Sequence, residues 1–369
     1  MGLNCGIVGL PNIGKSTIFS ALTSTPAEAA NYPFSTVKPN VGIVSIPDER
    51  LDKIASIFKP KKVIPAVVEF VDISGLAQGA SRGEGLGNKF LSHIREVGVI
   101  AHIVRCFKND DIIHVSGKID PLSDIEVINI ELALADLETV EKRKEKLEKL
   151  LKATSKDGGK ETRALLELIE KLKEGLEKGK PARLMGFTEE QINLISDLHL
   201  LTMKKQIYVC NVDEETLKTG NKDIEMVKVY AEKEGSIAIP ICGKLESEIA
   251  LLETAGERQE FLKEAGLEES GLIKLIHSGY NLLGLRTYFT AGEPEARAWT
   301  FHEGDKAPKA AAVIHTDFEK GFIRAEVYHY DDLIKYGTEQ KVKEAGKLRI
   351  EGKEYIVKDG DIMHFRFNV

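Results

Sequence analysis

The side chains best suited to do chemistry in this sequence lie in residues 9–17, which read GLPNIGKST and contain the pattern G-x-x-x-x-G-K-S. Glycines at this spacing let backbone N–H groups converge on an anion, and a following helix adds its positive end. In such a loop the lysine reaches the β- and γ-phosphates of a nucleotide, and the serine hydroxyl binds Mg²⁺. A chance glycine-rich turn would not bring the companion motifs described next. The expected phosphate-binding residues are Asn12, Ile13, Gly14, Lys15, Ser16 and Thr17.

A second motif, D-x-x-G, begins at Asp72 directly after an apolar run. We expect Asp72 to support Mg²⁺ through water and the backbone N–H of Gly75 to sense a γ-phosphate. The glycine-rich stretch that follows predicts a mobile switch segment. Thr36, after the first predicted helix, is the expected second Mg²⁺ ligand, and Ser35 is its competitor.

A third motif, residues 211–214, reads N-V-D-E where switch GTPases carry N-K-x-D. The aspartate of that motif accepts two hydrogen bonds from guanine, and adenine offers neither donor. A glutamate is one methylene longer and loses this paired contact, which is worth several kcal/mol at a buried polar site. The pattern therefore disfavours guanine, while Asn211 and backbone groups near Val212 could still hold a base such as adenine. The expected base-binding residues are Asn211, Val212, Glu214, Cys242 and Gly243.

Fewer residues are expected to promote hydrolysis than to bind the nucleotide. Leu76 stands where many GTPases carry a glutamine that orients water, so we expect slow hydrolysis. His114 lies beyond a predicted strand and would reach the nucleotide, although a structural role is the competing interpretation. Asn12 would help to bind a monovalent cation in place of a charge-stabilising arginine. The catalytic candidates are Lys15, Gly75 and His114.

Apolar runs separated by helical patterns must position these motifs. They predict a largely parallel sheet covered on both faces, and ligands bind such sheets at the carboxyl ends of the strands. Residues 48–58 suit a short helix, and Lys59–Lys62 a basic turn. The expected strands span 5–8, 41–46, 66–72, 99–107, 206–210 and 236–241.

The alternation stops between residues 118 and 205, where apolar residues recur every three or four positions. This spacing predicts two helices that form an antiparallel hairpin, and Thr188 with Gln191 predicts a capping box that starts a third helix. The expected apolar positions, with one polar break at Lys144, are Ile130, Ala133, Leu137, Val140, Leu147, Leu151, Leu165, Ile169, Leu172 and Leu176.

The hairpin is basic near its turn. Residues 142–160 hold eight Lys or Arg and three Asp or Glu, in a chain whose net charge is −7. A basic tip would contact RNA phosphates, and a purely scaffolding hairpin is an equal alternative. Loss of RNA or ribosome binding on charge reversal at Lys142, Arg143 and Lys144, with hydrolysis intact, would separate the function of the hairpin from the nucleotide chemistry.

Composition sets the remaining expectations. The four cysteines, which are far apart and fall in predicted strands, suit core positions better than disulfides or metal sites. No signal peptide or membrane-spanning run is expected, so the predicted location is cytoplasmic, without a membrane or DNA partner. The short alternating apolar runs within residues 281–369 predict a small α+β binding module.

Together these motifs resemble the YchF group of Obg-related P-loop proteins. The tracts that carry the resemblance are residues 9–17, 31–36, 72–76, 107–115, 211–214 and 359–367. The group usually has alanine at Ser74 and at Gly243, and both differences are small.

The resemblance implies a Ras-like α/β nucleotide domain (1–117 and 206–280), an inserted helical coiled-coil arm (118–205) and a C-terminal β-grasp TGS domain (281–369). It also implies an ATPase that prefers ATP to GTP and associates with ribosomes. We therefore expect a slow, Mg²⁺-dependent ATPase switch whose partner is the ribosome or its RNA. The alternatives are a conventional GTPase, a metabolic phosphotransferase and a non-hydrolysing RNA-binding protein.

Overall fold

The computed structural model describes residues 4–24, 40–73, 86–109, 119–153 and 159–368. Its described residues form two compact units. The first contains residues 4–24, 40–42 and 69–275, and the second contains residues 43–68 and 276–368.

The strands of the described residues confirm the expected alternation of strands and helices. They are β1 (Asn4–Val8), β2 (Val41–Ser45), β3 (Lys62–Ile64), β4 (Val67–Asp72), β5 (Val99–Arg105), β6 (Lys205–Asn211), β7 (Ile237–Ile241), β8 (Leu285–Ala291), β9 (Glu295–His302), β10 (Phe322–His329), β11 (Arg349–Glu351) and β12 (Asp361–Phe367).

The helices follow the same order along the chain. They are α1 (Lys15–Ser24), α2 (Glu49–Phe58), α3 (Leu86–Glu96), α4 (Pro121–Ala153), α5 (Lys160–Glu177), α6 (Glu189–Leu194), α7 (Glu214–Thr219), α8 (Lys222–Lys233), α9 (Gly243–Ala250), α10 (Ala255–Glu264), α11 (Gly271–Leu282), α12 (Ala307–Ala312), α13 (Thr316–Lys320), α14 (Tyr330–Tyr336) and α15 (Glu339–Glu344).

One sheet has the strand order β2-β4-β1-β5-β6-β7. Strand β1 pairs in parallel with β4 and β5, and β5, β6 and β7 continue in parallel. Every residue of β5 is buried, as expected for a strand covered on both faces. The carboxyl ends of β1, β4, β5, β6 and β7 therefore share one edge, where the predicted motifs begin.

Helices α4 and α5 pack against each other through Val140, Leu147, Ile169 and Leu172, which confirms the two apolar repeats. The capping box at Thr188 is also present and begins α6. The expected polar break at Lys144 forms an ion pair with Glu170 of α5 at 3.0 Å.

The expectation that Ile130 is an apolar contact of the hairpin was wrong. Its side chain is 54% exposed, whereas Ile125 and Ile128 are fully buried. The reason is that the start of α4 packs elsewhere, since Ile125 lies in one buried cluster with Val104 of β5 and with Val227 of α8. The buried stripe of the helix therefore faces the sheet there and turns toward α5 only later.

The second unit contains the sheet β11-β10-β12-β8-β9-β3. Strand β3 pairs in parallel with β9, so Lys62 begins a strand and is not the end of a basic turn. Arg50 of α2 donates to Asp359 at 2.6 Å. These contacts explain why residues 43–68 group with the C-terminal unit, although the sequence expectation placed them in the nucleotide domain.

All four cysteines are buried, as expected for core residues. Cys5 and Cys210 lie in strands, but Cys106 follows β5 and Cys242 precedes α9. Over the ranges that the structure describes, every helix is too short or too polar to cross a membrane.

Candidate nucleotide-binding site

The loop between β1 and α1 has the backbone shape of an anion-binding turn. Asn12 and Gly14 have positive φ angles of 64° and 88°, and left-handed residues in such a loop turn neighbouring N–H groups toward one side. A Cβ on Gly9 would lie 2.8 Å from the carbonyl oxygen of Ile103, and one on Gly14 would lie 2.1 Å from Nδ2 of Asn211. Both positions therefore require glycine.

The chemical groups that phosphates and Mg²⁺ need lie together at the edge of the sheet. Lys15 is the first residue of α1, and its ammonium group contacts the carboxylate of Asp72. The two side chains are 13% and 14% exposed. Register pairing of Ile7 with Asp72 places this carboxylate beside the end of β1. Ser16 and Thr17 are exposed in the first turn of α1.

Asn211 ties the phosphate loop to the loop after β7. Its Nδ2 donates to the carbonyl oxygen of Ile13 at 2.7 Å, and its Oδ1 accepts from the N–H of Gly243 at 3.2 Å. The side chain is 6% exposed. Asn211 and the N–H of Gly243 were expected to bind the base, but the structure brings them together in a bond with each other.

Glu214 begins α7 and faces a cation. Its carboxylate accepts a hydrogen bond from the ammonium of Lys244 at 3.1 Å, which raises the pKa of that lysine. The preceding Asp213 caps α7 by accepting from the N–H of Thr216 at 2.7 Å. Each carboxylate therefore already accepts one hydrogen bond within the protein, and the side chain of Lys244 was not among the expected base-binding residues.

These loops surround a cavity of about 520 Å³. Its lining joins the phosphate loop, the N-V-D-E motif and the loop after β7, and it adds residues that follow β5. The lining residues are Asn12, Gly14, Thr17, Phe107, Asn109, Asn211, Val212, Asp213, Glu214, Glu215, Cys242, Gly243 and Lys244. The structure thus brings most of the predicted nucleotide-binding residues to one cavity.

Comparisons with known proteins agree with this arrangement. The Ribosome-binding ATPase YchF of Bacillus subtilis is 57% identical over 371 residues and that of Haemophilus influenzae 55% over 369, each alignment covering 100% of both chains. The chain belongs to the YchF family. The family model described as 50S ribosome-binding GTPase matches residues 4–171, and the YchF-GTPase C-terminal model, described as a protein of unknown function, matches residues 285–368.

A solved YchF structure shares the fold. The Schizosaccharomyces pombe YchF GTPase matches this chain with a TM-score of 0.90 at 42% identity, covering 99% of this chain and 98% of that one. The mixed α/β architecture with a P-loop domain and a C-terminal YchF domain is therefore confirmed. The coiled-coil and TGS assignments stay predictions.

Three of the residues expected in this YchF site, Thr36, Gly75 and His114, lie outside the described residues, as does Leu76. Sequence reasoning missed Phe107, Asn109 and Lys244. Phe107 follows the carboxyl end of β5, and the rule that ligands bind at that edge of a parallel sheet could have drawn attention to it.

Proposed function

We propose that this YchF-family chain is a Mg²⁺-dependent ATP hydrolase that prefers ATP to GTP and acts with the ribosome. Its relatives are named ribosome-binding ATPases. The ion pair between Glu214 and Lys244, at 3.1 Å, carries the nucleotide preference. Guanine needs a carboxylate that accepts from its N1–H and 2-amino groups, whereas this carboxylate is engaged by an ammonium group.

The described donors suit a nucleotide phosphate with Mg²⁺. The Ser16 hydroxyl and the Asp72 carboxylate are the hard oxygen ligands that Mg²⁺ prefers, and Thr36 would add another hydroxyl. When bound, Mg²⁺ supplies positive charge to the β- and γ-phosphate oxygens. Lys15 would move from Asp72 to the phosphates, and the N–H of Gly75 would sense the γ-phosphate.

The nucleobase would lie between apolar walls. Val212 is 3% exposed and its N–H already donates to the carbonyl oxygen of Ile241 at 2.9 Å. Phe107 lines the same cavity from the loop after β5, and Cys242 lines it from the loop after β7. An adenine would be held here mainly by shape and stacking, because the amide of Asn211, which was expected to read its edge, already bonds to Ile13 and Gly243.

Hydrolysis is proposed to be slow. An aliphatic side chain at Leu76 cannot orient the attacking water, so His114 is the proposed alternative group. Asn12, which lines the cavity in a left-handed conformation, is proposed to help bind a monovalent cation. This slow step suits a protein that reports its nucleotide state to a partner.

The helical hairpin of α4 and α5 is proposed to contact the ribosome. Arg143 is paired with Asp197 at 3.1 Å and Lys144 with Glu170 at 3.0 Å, so these charges are satisfied within the protein. Lys142 is likewise paired with Glu138. Lys146 lacks an ion-pair partner within the described chain, as does Lys149 on the same helix. These two lysines are therefore better placed to meet RNA phosphates.

The hydrolase proposal is tested by release of phosphate from ATP with Mg²⁺ and with excess EDTA. Lys15→Met is expected to lower the rate at least about 100-fold, because the group that stabilises the transferring phosphoryl charge is lost. Lys228→Met, which alters a side chain of α8 that is 43% exposed, is the control and should match the wild type. Phosphate release that survives both Lys15→Met and EDTA would contradict the proposal.

A further inference from the structure

The last residue of β5, Arg105, is a buried arginine next to the candidate base pocket. Its side chain is 1% exposed, and its backbone pairs with Asn211 of β6. A guanidinium group is rarely buried to this extent unless its N–H groups are hydrogen-bonded and its positive charge is paired or has a function.

The donors of Arg105 bind the loop that follows it. Nε donates to the carbonyl oxygen of Phe107 at 3.1 Å, and Nη2 donates to the carbonyl oxygen of Asn109 at 2.8 Å. The guanidinium carbon also lies 4.5 Å from the centre of the Phe107 ring. One planar group therefore fixes both the backbone path of residues 107–109 and the position of the aromatic ring.

Other bonds hold the start of the same loop. The N–H of Cys106 donates to the carbonyl oxygen of Asn211 at 2.8 Å, and Nδ2 of Asn221 donates to the carbonyl oxygen of Cys106 at 2.9 Å. Burial lowers the pKa of Arg105, and the negative charge of Asp124 on α4 raises it. Arginine stays protonated in proteins, so its bonds to the two carbonyls are charge-assisted.

We infer that Arg105 is a positioning residue that holds Phe107 and Asn109 as the wall of the nucleobase pocket. This inference rests on the proposed nucleotide-binding function of the cavity. We expect Arg105 to act on the part of the nucleotide beyond the phosphates, since Phe107 and Asn109 line the cavity together with Val212 and Cys242, the apolar residues expected to hold the base. A lysine would offer a single ammonium group to the carbonyl oxygens of Phe107 and Asn109 and would lack the planar face that lies against the Phe107 ring.

Two probes separate the base wall from the phosphate loop. Inorganic tripolyphosphate engages the phosphate loop alone, whereas ATP also needs the wall. In Arg105→Lys we expect ATP affinity to fall about 10-fold, the scale of one base–aromatic stacking contact. Tripolyphosphate affinity should stay within about 2-fold of wild type. The KM for ATP should rise, and kcat should change little.

The control is Arg183→Lys, which alters another arginine of the same unit, whose side chain is 9% exposed. Arg183 donates to Glu234 at 2.6 Å and does not line the cavity, so its variant reports general loss of stability. In the double variant Arg105→Lys with Phe107→Ala, the loss of ATP affinity should be smaller than the sum of the two single losses, because both changes act on the same wall. Equal losses for ATP and tripolyphosphate, additive losses in the double variant, or no loss in Arg105→Lys would overturn the inference.

A measurement on the wild-type protein guards against a variant that fails to fold. ATP should slow hydrogen exchange in the peptide that contains residues 106–109, and tripolyphosphate should not. Absence of this difference would overturn the inference. A preference for GTP over ATP would contradict the proposed function and leave this test intact, with GTP compared against tripolyphosphate.

Discussion

Replacing Asn211 by alanine tests whether this side chain organises the phosphate loop. The change removes the bonds to the carbonyl oxygen of Ile13 at 2.7 Å and to the N–H of Gly243 at 3.2 Å. The site is 6% exposed, so both groups lose a partner where water enters poorly. At about 1–1.5 kcal/mol for each bond, the free energy of unfolding should fall by about 2–3 kcal/mol.

The binding effect follows from the geometry of the loop. Asn211 also packs against Gly14, whose φ of 88° shapes the anion-binding turn. Without it, the loop must be ordered by the ligand, and affinity for both ATP and tripolyphosphate should fall about 10-fold, or about 1.4 kcal/mol. Urea unfolding measures the stability change, and equilibrium titration with each ligand measures the affinity.

Asn221→Ala is a closely matched control. This asparagine also makes two bonds, from Nδ2 to the carbonyl oxygen of Cys106 at 2.9 Å and from the N–H of Ile224 to Oδ1 at 2.8 Å. Its loss should lower stability by about 2 kcal/mol, with tripolyphosphate affinity retained. If Asn211→Ala kept its tripolyphosphate affinity, or if both variants lost it equally, the organising role of Asn211 would be refuted.

Two further predictions concern the buried histidine His102 and the helical hairpin of α4 and α5. Burial, together with the positive charge of Arg183, lowers the pKa of His102 from 6.5 to about 3. Above pH 6.5 the imidazole is neutral in both the folded and the unfolded state, so the free energy of unfolding has its full value. As the pH falls below 6.5 the unfolded state takes up the proton first, and the free energy of unfolding decreases by about 2 kcal/mol at pH 5. His102→Phe, followed by urea unfolding at pH 7.5 and pH 5, should remove this loss, and an unchanged pH dependence would contradict it. Lys146→Glu with Lys149→Glu should weaken cosedimentation with ribosomes while leaving ATP hydrolysis intact. Lys142→Glu with Lys144→Glu should instead destabilise the hairpin, because these lysines pair with Glu138 and Glu170; ribosome binding that depends on the second pair alone would contradict the assignment.

Local patterns predicted the elements that carry the chemistry. The G-x-x-x-x-G-K-S stretch between an apolar run and a helical pattern placed Lys15 at the start of α1, and the D-x-x-G motif placed Asp72 at the end of β4. Both are short-range signals, because each motif is fixed by the turn in which it lies. The order of the strands along the chain then placed both motifs at one edge of the sheet.

Long-range partners could not be predicted in the same way. Ile130 has the spacing of a hairpin contact, but the start of α4 packs on β5 and α8. Lys62 looked like a turn residue until β9 provided a partner strand 233 positions further on, from Lys62 to Glu295. Likewise, nothing in the sequence next to Glu214 or Asn211 reveals Lys244 or Ile13, since these contacts form only when distant loops meet.

Competitive binding of ATP and GTP to the nucleotide-free protein with Mg²⁺ is the direct measurement of the proposed preference for ATP. The wild-type protein should prefer ATP by at least about 10-fold. Glu214→Asp shortens the side chain that contacts Lys244 and should narrow the preference for ATP, whereas Glu225→Asp on α8, which does not line the cavity, should not. A clear preference of the wild type for GTP would contradict the account and make the protein a GTPase with an unusual base loop.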